Sequence, residues 1–162
     1  MKSDYNASRR YFMGDFMNPE LKRFNYLWSE IDAAYHGAAL KLGLSDAGMS
    51  ILYTICNYGD RCPLNDIIRL SGICKQTVNS ALRKLESDGI VYLESFHGRR
   101  KIVCLTEKGK VFVKDTVFHV IQIENEIFDS WTEEELEVYM TLVEKYLRAF
   151  DAEIEKLPLQ KG

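Results

Sequence analysis

SGICKQTVNSALRKLESDGIVYLESFHGRRK, residues 71–101, is the stretch that decides the fold. It opens on a Ser71-Gly72 turn and enters a helix from about Lys75 to Ser87, with Val78, Ala81, Leu82 and Leu85 on its inner face and Gly89 as terminator. The apolar period then changes. Ile90-Val91-Tyr92-Leu93 and Ile102-Val103-Cys104-Leu105 flank a polar Ser95-Phe96-His97-Gly98-Arg99-Arg100 loop, the pattern of a β-hairpin. Just upstream, the turn Gly59-Asp60-Arg61-Cys62-Pro63 leads into a helix from Leu64 to about Leu70. Two helices joined by a tight turn, with a basic hairpin directly after them, read as a helix-turn-helix with a wing.

The outward residues of the second of these helices are Lys75, Gln76, Thr77, Asn79, Ser80 and Arg83. Gln and Asn pair with adenine edges, Arg and Lys with guanine or phosphate, and Ser or Thr with either, so the set suits double-stranded DNA in the major groove. An ordinary solvated face would be as polar, but it would have no reason to favour amides and hydroxyls over Glu and Lys pairs. The wing contributes His97, Arg99, Arg100 and Lys101, with long basic side chains beside the hairpin tip and Gly98 where the backbone must turn.

Charge agrees once it is divided by region. The chain of 162 residues has a formal net charge of -3. Residues 73–101 nevertheless carry a balance of +3, and residues 107–162 one of -6. A polyanion would meet one favourable segment in an otherwise acidic protein.

Working outward, Pro19 to about Lys41 carries Leu21, Phe24, Trp28, Ile31, Tyr35, Ala38 and Leu42 in three- and four-residue steps, a long amphipathic helix with Asn18 as N-cap. The residues before Asn18 read as an arm or short helix. Ser45 caps a second helix that ends near Asn57 to Gly59. After the hairpin, Thr106 caps a helix expected to run unbroken to about Asp129. Thr132 and Glu135 form a capping box for a last helix, whose Leu136, Met140, Val143, Leu147, Phe150 and Ile154 keep heptad-like spacing until Pro158. These two outer stripes exceed what a small winged helix buries by itself. A partner chain is the natural cover for Leu21, Phe24 and Trp28 and for the last helix; packing only on each other and on the 107–129 helix is the alternative.

The chain resembles the MarR family of transcriptional regulators from about Pro19 to Leu157. The matching pieces are Leu42-Gly43-Leu44-Ser45, Lys75-Gln76-Thr77-Val78, Leu85-Glu86-Ser87-Asp88-Gly89-Ile90-Val91 and Leu105-Thr106-Glu107-Lys108-Gly109, in this order and spacing. The resemblance implies a homodimer formed by the N- and C-terminal helices, a recognition helix in the major groove of each half of a pseudo-palindromic operator, and a wing arginine, Arg99, in the minor groove. It also implies a repressor and effectors bound between the dimer helices and the DNA-binding lobe. Two positions depart from the family pattern: His97 stands where an acidic wing residue is usual, and Ser80 where an arginine is common.

The expected fold is thus mainly α with a small β-hairpin wing, a winged helix-turn-helix flanked by long N- and C-terminal dimerisation helices. Residues 1–162 form a single chain of this type, with a winged-helix lobe over 45–106 and a helical dimerisation lobe made of 19–42 with 107–157.

Other features are weighed against duller readings. Cys74, beside Lys75 at the entrance to the recognition helix, is a candidate redox thiol, although a small residue filling a turn explains it more simply. His36, His97 and His119 lack metal-site spacing; His36 suits a helix residue facing a cavity. Tyr26, Trp28, Tyr35, Tyr53 and Tyr58 suit either an effector pocket or core. No phosphate-cradling glycine loop, nucleophile elbow or zinc motif points to an enzyme, a metal or a cofactor. Four cysteines without paired spacing, and no signal-type or bilayer-length apolar segment, are expected of a soluble cytoplasmic protein. The competing class is a winged-helix protein-interaction module that binds its partner through the acidic C-terminal helices, without sequence-specific DNA binding.

Overall fold

The structure, a computed structural model, describes residues 17–96, 98 and 100–158. The arm expected before Asn18 (Met17 apart), the wing residues His97 and Arg99, and the tail from Leu159 lie outside the described residues. The chain divides into two compact units after Val117.

The first unit begins with α1 (Pro19–Lys41), where the Asn18 side chain accepts from the Glu20 N–H at 2.8 Å and Pro19 occupies the first turn. Next comes α2 (Asp46–Asn57), capped by Ser45 Oγ, which accepts from the Gly48 N–H at 3.1 Å. A short strand β1 (Arg61–Pro63), α3 (Leu64–Leu70) and α4 (Lys75–Ser87) follow. The hairpin is β2 (Val91–Phe96) with β3 (Arg100–Leu105), and α5 (Glu107–Lys114) closes the unit.

The sheet has the order β1-β3-β2, antiparallel throughout. Arg61 to Pro63 lie opposite Cys104 to Ile102, and Val91 to Phe96 opposite Leu105 to Arg100. Where the sequence suggested only a turn over residues 59–63, the chain adds a third strand. Pro63 closes it, a position at which a missing N–H costs the ladder least. The hairpin strands also run closer to the tip than their apolar runs do, because polar Glu94, Ser95, Arg100 and Lys101 continue the ladder.

The core lies where these elements meet. Ile51, Leu52 and Ile55 of α2, Ile67 of α3 and Val78 of α4 are fully buried against Cys62, Val91 and Val103 of the sheet.

The helix expected over 107–129 is two helices, α5 and α6 (Val117–Asp129), broken at Asp115-Thr116. The Thr116 hydroxyl donates to the Phe112 carbonyl at 2.6 Å, while the Thr116 N–H reaches Val113 instead of a full helical turn back. Such back-bonding offers the backbone an alternative to the helical ladder.

The second unit, from Phe118 on, holds α6 and α7 (Glu133–Ile154). Their junction is an aromatic cluster: Trp131 stacks on Phe128 at 5.3 Å and meets Tyr139 edge-on at 5.1 Å. Thr132 and Glu135 make the expected capping box. α7 has no buried residue. Among the described residues, no helix is long and apolar enough to cross a membrane.

Candidate nucleic-acid interface

The inner side of α4 fixes what its outer side presents. Val78, Leu82 and Leu85, spaced four and three apart, are buried against α2, α3 and β2. Opposite them, Lys75, Gln76, Thr77, Ser80 and Arg83 are exposed and Asn79 is half-buried. Five of the six predicted residues therefore fall in the N-terminal half of one helix, and Arg83 follows them on its outer side. Among the described residues Lys84 pairs with Asp88 at 3.3 Å, whereas Lys75 and Arg83 have no ion-pair partner. The first turn of α4 contains no acid, so the positive end of its dipole is uncompensated. α7, by contrast, has three glutamates in its first turn.

In the wing, Arg100 and Lys101 are exposed and lie within the ladder, opposite Phe96 and Ser95. Gly98 turns the tip with φ 82°, a conformation that other residues rarely adopt. One acid, Glu94, belongs to the same hairpin. Arg61 donates to it at 2.6 Å across the sheet and the Tyr92 hydroxyl at 3.3 Å, so its charge is answered locally and the strand ends stay basic. Nothing local in the sequence connects Arg61 with Glu94; the link exists only because β1 joins the sheet.

The base of the wing is tied to the element after it. The Thr106 hydroxyl donates to the Gly89 carbonyl at 2.6 Å and accepts from the Gly109 N–H at 2.8 Å, and the Thr106 N–H donates to the Ile90 carbonyl at 3.0 Å. A Cβ on Gly109 would stand 2.0 Å from the Ile90 carbonyl oxygen, so α5 meets the wing through bare backbone.

Cys74 occupies the N-cap position of α4 and is exposed, with its Sγ 3.1 Å from Thr77 Oγ1. The hydrogen bond from the Thr77 hydroxyl, followed by the backbone N–H of Thr77, lowers the Cys74 pKa below the ordinary thiol value. Lys75 is not among the causes.

A cavity of about 650 Å3 opens between α1 and α2 beside the end of α3. Buried Ala39, Met49 and Thr54 contribute to its walls. At its edge His36 Nδ1 lies 2.9 and 3.0 Å from the two carboxylate oxygens of Asp46. His36 thus faces a cavity, as its isolation suggested, and its partner sits ten residues away on the next helix. Of the five aromatics in question, Tyr35 and Tyr53 line the cavity. Tyr26, Trp28 and Tyr58 are exposed and belong neither to it nor to the core.

The apolar stripe of α1 is largely uncovered, with Leu21, Phe24 and Trp28 between 40% and 52% exposed. In α7, Met140, Val143, Leu147, Phe150 and Ile154 are exposed and Leu136 is half-buried.

No protein-family model and no curated protein matches the sequence. Solved structures do match in fold. A MarR-family transcriptional regulator from Silicibacter pomeroyi is 24% identical, with 80% of this chain and 88% of that one covered and a TM-score of 0.64. A MarR-family regulator from Neisseria meningitidis, 17% identical, has a TM-score of 0.74 over 86% of this chain and 99% of its own. NadR, solved in complex with 4-hydroxyphenylacetate, is 15% identical, covers 91% of this chain and 100% of its own, and has a TM-score of 0.65. The fold is the winged helix of MarR-family regulators.

Proposed function

We propose that this chain is a MarR-family transcriptional regulator that binds double-stranded DNA as a homodimer. It represses by occupying a pseudo-palindromic operator and lets go when a small effector binds or a thiol is oxidised. The observation that carries the reading is the outer side of α4: six residues able to reach base edges and phosphates, held by a buried inner face and followed by a basic hairpin. The similarity in fold to MarR-family regulators supports it. The complex of NadR with 4-hydroxyphenylacetate supports a small-molecule effector, and the cavity between α1 and α2 offers it a place. The uncovered stripes of α1 and α7 support a second copy of the chain as partner. A repressor of this kind works beside the chromosome, in the cytoplasm.

Fluorescence anisotropy with fragments of the upstream genomic DNA, read across a salt series, tests the reading. A sequence-selective complex weakened by salt is expected. Arg99→Ala should weaken it on every sequence and reduce the salt slope by about one unit. Gln76→Ala and Asn79→Ala should instead relax the preference at individual bases, each by ~1–3 kcal/mol. Selectivity absent from the wild type would favour the protein-interaction module.

A further inference from the structure

We infer that the cavity between α1 and α2 selects a small aromatic cation, an amine or quaternary ammonium on an apolar body, over an aromatic acid. The inference rests on the reading of this cavity as the effector site and adds the charge of what enters it. About 650 Å3 is the volume of a small-molecule pocket. Its charged lining residues are two carboxylates, Asp32 and Asp46, and the His36 imidazole; neither Lys nor Arg lines it. The imidazole is already engaged, with its Nδ1 within 3.0 Å of both Asp46 oxygens. Asp32 has no ion pair among the described residues.

An entering carboxylate would therefore face two like charges and find one imidazole, itself bonded to one of them. A cation would find Asp32 without an ion pair and Asp46 shared with His36. Tyr35 and Tyr53 supply aromatic surface of the kind that attracts cations, and Met49 supplies an apolar wall.

One skeleton in three charge states tests this. Tyramine, the neutral 4-hydroxyphenethyl alcohol and 4-hydroxyphenylacetate are titrated calorimetrically into the full-length protein without DNA. Tyramine is expected to bind tightest and the acid weakest. Asp32→Asn and Asp46→Asn should each weaken tyramine about tenfold while the alcohol changes by less than about twofold. Binding of the acid as tight as tyramine, tyramine affinity untouched by both substitutions, or no binding by any of the three would overturn the inference. Operator binding is measured separately by anisotropy, so a protein that takes tyramine but ignores DNA would refute the regulator reading and leave the charge preference standing.

Discussion

Burial sorts the four thiols into different chemistries. Cys62 is fully buried, and its pKa is pushed up to about 11, first by burial and then by the Asp66 carboxylate. Burial likewise raises Cys56 and is the leading cause for Cys104. Cys74 is exposed and shifted the other way. A lowered pKa populates the thiolate at lower pH, and the thiolate is the nucleophile. Timed alkylation with iodoacetamide, followed by mass spectrometry, should modify Cys74 first, with a rate that rises with pH through a midpoint below that of a free thiol. Thr77→Val should move that midpoint up, because it removes the largest cause; equal rates at all four cysteines in the native protein would contradict the assignment. The place of Cys74 at the entrance to a helix, beside Lys75, was legible in the sequence. The agent was not: a basic neighbour at Lys75 looked responsible, whereas the hydroxyl one helical turn further on does the work, which only the helical geometry reveals.

Caps and apolar spacing wrote most of the elements into the sequence. Asn18, Ser45, Thr106 and Thr132 each accept the N–H that their positions predicted. Features that depend on distant partners were hidden. β1 exists because residues 102–104 offer it a ladder, and the chain breaks between α5 and α6 at Asp115-Thr116 although the apolar spacing continues across it. The α5–wing junction is another such case: Gly109 sits in the first turn of its helix, and its reason is the carbonyl of Ile90. Gly109→Ala should therefore destabilise the protein, despite Ala being the better helix former, by about 2–3 kcal/mol. Urea unfolding followed by circular dichroism measures this, and a more stable alanine variant would show that α5 can move away from the wing at no cost.

For the whole molecule, the decisive fact is a helix without an interior. α7 spans 22 residues with none buried, and both Leu147 and Phe150 are at least half exposed. Covering the exposed half of each such side chain is worth roughly 1 kcal/mol, and a buried carboxylate costs more than that, so two acidic replacements in the stripe should separate a dimer. Leu147→Glu with Phe150→Glu is expected to reduce the mass in light scattering from two chains to one and to cost affinity for a full palindrome more than for a half-site; an unchanged mass would move the interface elsewhere. At this scale the two-sided pattern of α4 was readable, since its buried and exposed sides are both local to one helix. The cavity was not, because His36 and Asp46 meet only when α1 packs on α2. At the foot of the wing, Thr106 is bonded at once to Gly89, just past α4, and to Gly109 in α5. The end of α4, the start of the hairpin and α5 thus meet at one residue, through which a twist of α5 would bear on α4 and the hairpin together. The grip proposed for this protein would loosen in one motion rather than contact by contact.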